Sequence, residues 1–162
     1  MRLQILVSQD SVAGGVRYSY TVVNRSAFEL HHVFIGYDAP TDSLLFTASP
    51  AGWSVDSLPA ASVSAPMGWD ASFDVDGSGG GQLDFAADST HDGIPRGRIQ
   101  SGFTVTLAAA SDEYRATRWV VFTDEGRAYT GVLEDVARRQ TVDSDRPGRG
   151  RVGARRAATH GP

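Results

Sequence analysis

The chain reads as an all-β protein: an antiparallel β-sandwich of about eight or nine short strands followed by a disordered tail. Three observations predict it. Two-residue alternation recurs along the sequence, most plainly over residues 16–26, where Val16, Tyr18, Tyr20 and Val22 share one face and Arg17, Ser19, Thr21 and Val23 the other. Turn-forming clusters separate the alternating segments at intervals of about 8 to 15 residues, the spacing of a sandwich or barrel. No window sustains a long 3.6-residue apolar period, which argues against substantial helix.

The first strand is expected where Leu3, Ile5 and Val7 alternate with Arg2, Gln4 and Leu6, and residues 10–15 supply a hairpin turn into the Val16 strand. The apolar stretch of residues 1–8 is broken by Gln4 and followed by Gln9-Asp10 with no small-residue cleavage pattern, so it reads as a strand rather than a leader. Residues 28–37 put Leu30, His32, Phe34 and Gly36 on one face and His31, Val33, Ile35 and Tyr37 on the other, and apolar residues on both sides predict a central strand. After a break at Asp38–Asp42, Leu44-Leu45-Phe46-Thr47 resumes briefly, and the Ser-, Ala- and Pro-rich residues 55–66 suit a connection between sheets. Trp69, Ala71, Phe73 and Val75 alternate with Asp70, Ser72 and Asp74, a half-buried strand with its acids outward. A glycine-rich tip over residues 77–81 leads to the return strand through Leu83 and Phe85. A polar loop over residues 86–98 precedes Phe103, Val105 and Leu107; Trp119 and Val121 then oppose Val120 and Phe122, and a turn at residues 124–127 feeds a last strand over 128–133.

At 162 residues and 41% hydrophobic, the chain supports one domain with a real core, expected over residues 1–137. Residues 138–162 hold two valines and some alanines among Arg, Gly, Pro and polar residues, too little to bury, and are expected to be disordered. Charge divides at the same place: residues 1–137 carry 17 acids and 8 arginines, a balance of −9, and residues 138–162 carry 2 acids and 7 arginines, a balance of +5. With no cysteine there is no disulfide, thiolate metal site or cysteine nucleophile. All 15 basic residues are arginine, so no lysine can form a Schiff base, and the Arg, Ala and Gly bias suggests a GC-rich bacterial genome. No stretch approaches the roughly 20 apolar residues of a membrane helix.

Candidate chemistry gathers in the acids and aromatics of residues 53–92. Asp74-Val75-Asp76-Gly77-Ser78-Gly79 matches the opening of a calcium loop, and Asp70, Asp74 and Asp76 are the candidate ligands for a possible Ca²⁺. Phe85 stands at the twelfth position, where such a loop needs a bidentate glutamate, which favours a solvated hairpin over an EF-hand. The run Asp76–Gly80 has the composition of a serine-protease nucleophile sequence in the wrong order, and it lacks the strand-to-helix context of a nucleophile elbow. Gln82 occupies the third glycine position of a dinucleotide fingerprint. His31 and His32, being adjacent on a strand, point to opposite faces and cannot share a metal; on the inward face His32 would be a hydrogen-bonded interior group. Asp92 could orient His91 for base chemistry or ligation, though no partner nucleophile is identifiable and no catalytic residue is assigned. Trp53 and Trp69 each follow a glycine, as sugar-stacking tryptophans at loops would, yet core or core-edge positions suit both better. The tail arginines could touch phosphates, but no aromatics interleave to stack on bases, which counts against nucleic acid.

Tyr18–Asn24, Ser49-Pro50-Ala51-Gly52-Trp53, Gly93-Ile94-Pro95 and Ser101–Val105 together resemble bacterial exported β-sandwich domains of the Ig-like and PEP-CTERM-associated kind, over about residues 16–133. The resemblance implies an Ig-like or jelly-roll-like sandwich with an extracellular, adhesive or structural role; it supplies no functional residues. The chain as read shows neither a clear signal peptide nor a C-terminal sorting segment, so its compartment is unassigned. The expectation is a non-enzymatic module contacting a protein or glycan through its loops, with residues 76–98 as the contact region and Trp53, Trp69, His91 and Asp92 as candidate ligand-binding residues. A calcium- or carbohydrate-binding module and a small enzyme using His91 and Asp92 are the alternatives.

Overall fold

The computed structural model describes residues 2–38, 41–46, 49–53, 62–75, 80–89, 91–108 and 118–136. The expected tail, residues 138–162, lies outside the described residues, as do Asp76 and residues 77–79 of the glycine-rich tip.

Twelve strands are described: β1 (Arg2–Val12), β2 (Gly15–Arg25), β3 (Leu30–Ile35), β4 (Tyr37–Asp38), β5 (Ser43–Leu44), β6 (Val63–Ser64), β7 (Trp69–Val75), β8 (Gly81–Ala87), β9 (Ile99–Ala108), β10 (Arg118–Thr123), β11 (Ala128–Val132) and β12 (Glu134–Asp135). Eight of them are longer than two residues, within the eight or nine that alternation predicts. They build two five-stranded sheets, in the orders β12-β1-β2-β9-β6 and β11-β10-β3-β8-β7, with β4 and β5 as a small separate pair. Every pairing is antiparallel except β12 against β1.

The period of two decides what fills the space between the sheets. Ile5, Tyr20, Val22, Phe103, Val105 and Leu107 point inward from one sheet, and Val33, Ile35, Phe73, Leu83, Phe85, Trp119 and Val121 from the other. The Phe103 ring meets Trp69 edge-on at 5.2 Å and Phe85 at 5.0 Å, joining the sheets by aromatic contact. Strand β3 is central in its sheet, as its two apolar faces predict. The chain changes sheets earlier than residues 55–66, where the crossing is expected: Phe46 bridges to Gly81 beside one sheet and Pro50 already bridges to Leu107 in the other, at whose edge β6 then lies; residues 54–61 lie outside the described residues.

Two placements go beyond the sequence reading. Val33 and Ile35 face the core, so of the two faces left open for His32 it takes the outer one, with Phe34. The last strand does not simply end: after Leu133 the chain steps to the opposite sheet, where Glu134 and Asp135 pair with Leu6 and Val7 and the Glu134 carboxylate accepts from Gln4 Nε2 at 2.6 Å. Apolar periodicity cannot report a two-residue strand held largely by backbone and polar contacts.

Candidate functional site

One end of the sandwich collects the turn after β2, the turn before β7, the loop of residues 88–98 and the hairpin turn after β10. The organiser of this end is Asn24, at the close of the β2 alternation and fully buried. Its Nδ2 donates to the Phe28 and Ile94 carbonyls, each at 2.8 Å, and its Oδ1 accepts from Ser26 N at 3.0 Å and Ser26 Oγ at 2.7 Å. Backbone bonds repeat the clamp: Asn24 N donates to Arg98 O, Gly97 N to Asn24 O, and Leu30 and Ile94 exchange both of theirs. The sequence reading treats residues 86–98 as a polar loop, but Ile94 is a buried member of the core. A second anchor comes from Trp69, whose Nε1 donates to Asp92 O at 2.7 Å. Gly93 permits the loop to sit close, because a side-chain carbon there would lie 2.5 Å from Glu29 Oε1 and 2.8 Å from the His31 ring.

These contacts bring Trp69 and Asp92 together and set His91 on the exposed outer rim. Asp92 directs its carboxylate to Ser89 Oγ at 2.5 Å, and the His91 ring makes no ion pair or hydrogen bond among the described residues. The Trp69 indole is 8% exposed. Trp53 lies toward the opposite end of the sandwich, edge-on to Phe73 at 5.4 Å at the margin of the core. The described part of the stretch 76–98 is not one loop: β8 runs through it, so Gly81 and Ala87 stand at opposite ends of a seven-residue strand about 23 Å long, and residues 76–79 lie outside the described residues.

Asp70 and Asp74 both point outward from β7, four residues and so about 13 Å apart. A single calcium with oxygen bonds near 2.4 Å could take only one of them and would need its remaining ligands elsewhere. No three His, Asp or Glu side chains converge on a common point among the described residues, and Asp76 lies outside these. Asp84, opposite Ser72 on β8, stands 3.3 Å from His32 Nε2. Burial lifts the Asp84 carboxyl above the ordinary aspartate range, His32 opposes the shift and Asp74 reinforces it. A folded value above the unfolded one means that Asp84 favours folding when protonated, and that this contribution is lost as pH rises through the raised value. Asp84→Asn is therefore expected to melt above the wild type at pH 7, with the gap closing below about pH 4 in a pH series of thermal melts.

Sequence reasoning missed Met67. It sits fully exposed (101%) in the turn before β7, held by Trp69 N donating to Pro66 O at 3.1 Å. Ile99, 62% exposed at the start of β9, lies at the same end. The signal was present in Pro66-Met67-Gly68, since a large apolar residue between two turn formers is displayed rather than buried. An open cleft of ≈ 480 Å³ also lies along the side where β12-β1 meets β11-β10, lined by Leu3, Trp119, Tyr129 and Glu134. Its indole N–H already donates to Val132 O, and Glu134 accepts from Gln4, so its principal polar groups are engaged.

The chain is similar in structure to an uncharacterised protein from Nocardia farcinica with an immunoglobulin-like fold: TM-score 0.50, 14% identity, 81% of this chain and 98% of that one covered. The fold is immunoglobulin-like. This immunoglobulin-like chain also overlays an inactive mutant of a GH20 exo-β-N-acetylglucosaminidase from Vibrio harveyi, at TM-score 0.42 and 13% identity, over 83% of its own length and 17% of the enzyme's. No protein-family model and no curated protein matches it. Among the described residues no helix is long and apolar enough to cross a membrane.

Proposed function

We propose that this immunoglobulin-like chain is a non-catalytic binding module that docks a protein partner through the sandwich end bearing Met67 and the 88–98 loop. The observation that carries the reading is a fully exposed methionine on a fixed turn, at the end that also displays Ile99, His91, Arg96 and Arg98. Apolar anchors within a polar rim are the usual anatomy of a protein interface, and methionine adapts to an irregular partner surface. Pre-organisation supports it too: Asn24 and Trp69 fix the loop before any partner arrives, which lowers the entropy cost of binding. A protein is favoured over a glycan because the Trp69 ring is covered and its N–H is used. An exported setting, as in PEP-CTERM-associated domains, would suit such a module and rests on the sequence resemblance alone.

Peptide-display selection on the immobilised full chain, followed by titration of the selected peptides, tests the reading. Met67→Asp is expected to weaken them at least about tenfold while Met67→Leu retains binding, the behaviour of an apolar anchor. Peptides indifferent to Met67→Asp and to His91→Ala would overturn it.

A further inference from the structure

We propose that the outer face of the β11-β10-β3-β8-β7 sheet binds the arginine-rich stretch 138–162 of the same chain. The sheet register lays out this face in rows: Phe34 stands beside Asp84 and Asp84 beside Ser72, while Phe122 stands beside His32, then Ala86, then Asp70. Phe34 meets Phe122 edge-on at 5.7 Å and His32 at 5.0 Å, giving the face an aromatic centre. Carboxylates occupy its other side. Asp70 and Asp74 are exposed and have no ion pair among the described residues, and Asp84 Oδ1 accepts no hydrogen bond although His32 Nε2 is 3.3 Å away. The Arg118 guanidinium is engaged with Asp38 at 3.1 Å. The face is thus aromatic and acidic, without a free described cation.

Arginine is the residue such a face recognises, because a planar guanidinium stacks on aromatic rings and pairs with carboxylates in one geometry. The same fold already makes this contact locally, where Arg127 lies over the Phe28 ring at 4.7 Å and pairs with Glu125 at 3.0 Å. Residues 138–162 supply seven arginines against two acids, whereas residues 1–137 hold an excess of nine acids. Reach is sufficient. From β12 the chain must pass one sheet spacing of about 10 Å and cross a face of about 19 Å, and a stretch of this length can extend to about 80 Å. Tethering also raises the local concentration to the millimolar range, so individually weak ion pairs suffice for a reversible, salt-sensitive contact.

The cysteine-free chain allows a direct test with a nitroxide attached through Ala157→Cys in the full-length protein. Amide resonances of Phe34, Ser72, Asp84 and Phe122 are expected to lose intensity beyond those of the β1–β2 turn at about 20 mM salt and to regain it at about 500 mM. Asp70→Asn with Asp74→Asn, both at exposed positions, is expected to give the same recovery at low salt. Broadening spread evenly over the surface, or insensitive to salt and to the double variant, would overturn the proposal. Broadening in a mixture of isotope-labelled and separately spin-labelled chains would assign the contact to a second copy and overturn the intramolecular form.

Discussion

Asn24→Ala is expected to destabilise the protein by about 3 to 5 kcal/mol, a large share of the 5 to 15 kcal/mol typical of a domain. The substitution removes one buried amide and leaves several groups behind. The Phe28 and Ile94 carbonyls lose a donor, and Ser26 N and Oγ lose their acceptor. Leu30 N still serves the Ile94 carbonyl, and Ser26 Oγ the Phe28 carbonyl, so Ser26 N is the group left stranded; that costs about 1 to 3 kcal/mol, and each of the other lost hydrogen bonds adds about 1 kcal/mol, whereas an exposed asparagine would cost almost nothing. Urea unfolding followed by tryptophan fluorescence would register the loss as a lower midpoint at unchanged slope. Asn24→Asp keeps the acceptor but removes both donors and buries a charge, so it should fare no better; a loss below about 1 kcal/mol in either variant would show that the loop end does not depend on this clamp.

Gly36→Ala is expected to cost about 3 to 4 kcal/mol through two additive penalties. Gly36 has φ 89°, in the left-handed region, and a side-chain carbon there would fall 2.0 Å from both Phe46 Cδ2 and Cε2. Phe46 is fully buried, so its ring has no solvent side to retreat into. The position is further fixed by Gly36 N donating to Arg118 O and Leu45 N to Gly36 O. A double-mutant cycle with Phe46→Leu separates the causes: the smaller side chain should recover part of the steric cost and none of the dihedral cost. Equal losses in both backgrounds would mean that the ring is not the obstacle.

Where burial alternates, the sequence announced the structure. Strands β2, β7, β9 and β10 lie where Tyr20, Phe73, Val105 and Val121 mark an inward stripe, and β3 is central because neither of its faces is polar enough for an edge. The step of β12 into the other sheet was not legible, since two residues pairing through their backbone leave no pattern. The face of His32 stayed open because a half-exposed imidazole fits either face of an apolar strand, and only the positions of Val33 and Ile35 decide between them. The candidate site was legible in part: the sequence marked the 88–92 residues and Trp69, but not Met67, whose display depends on the path of a turn. The span 76–98 holds a whole strand, β8, because periodicity over Leu83 and Phe85 marks a strand without reporting which end of the sandwich each flanking loop joins.

The clamp at Asn24 bears on how such a surface can change over generations. Its amide holds the backbone of the loop, at the Ile94 carbonyl, and uses no side chain of the exposed rim. Substitutions at His91 or Arg96 therefore fall where a surface change usually shifts stability by no more than about 0.5 kcal/mol. Selection can rewrite the chemistry presented at this end while the scaffold beneath is left untouched. A module built this way can acquire new partners without first having to survive a loss of fold.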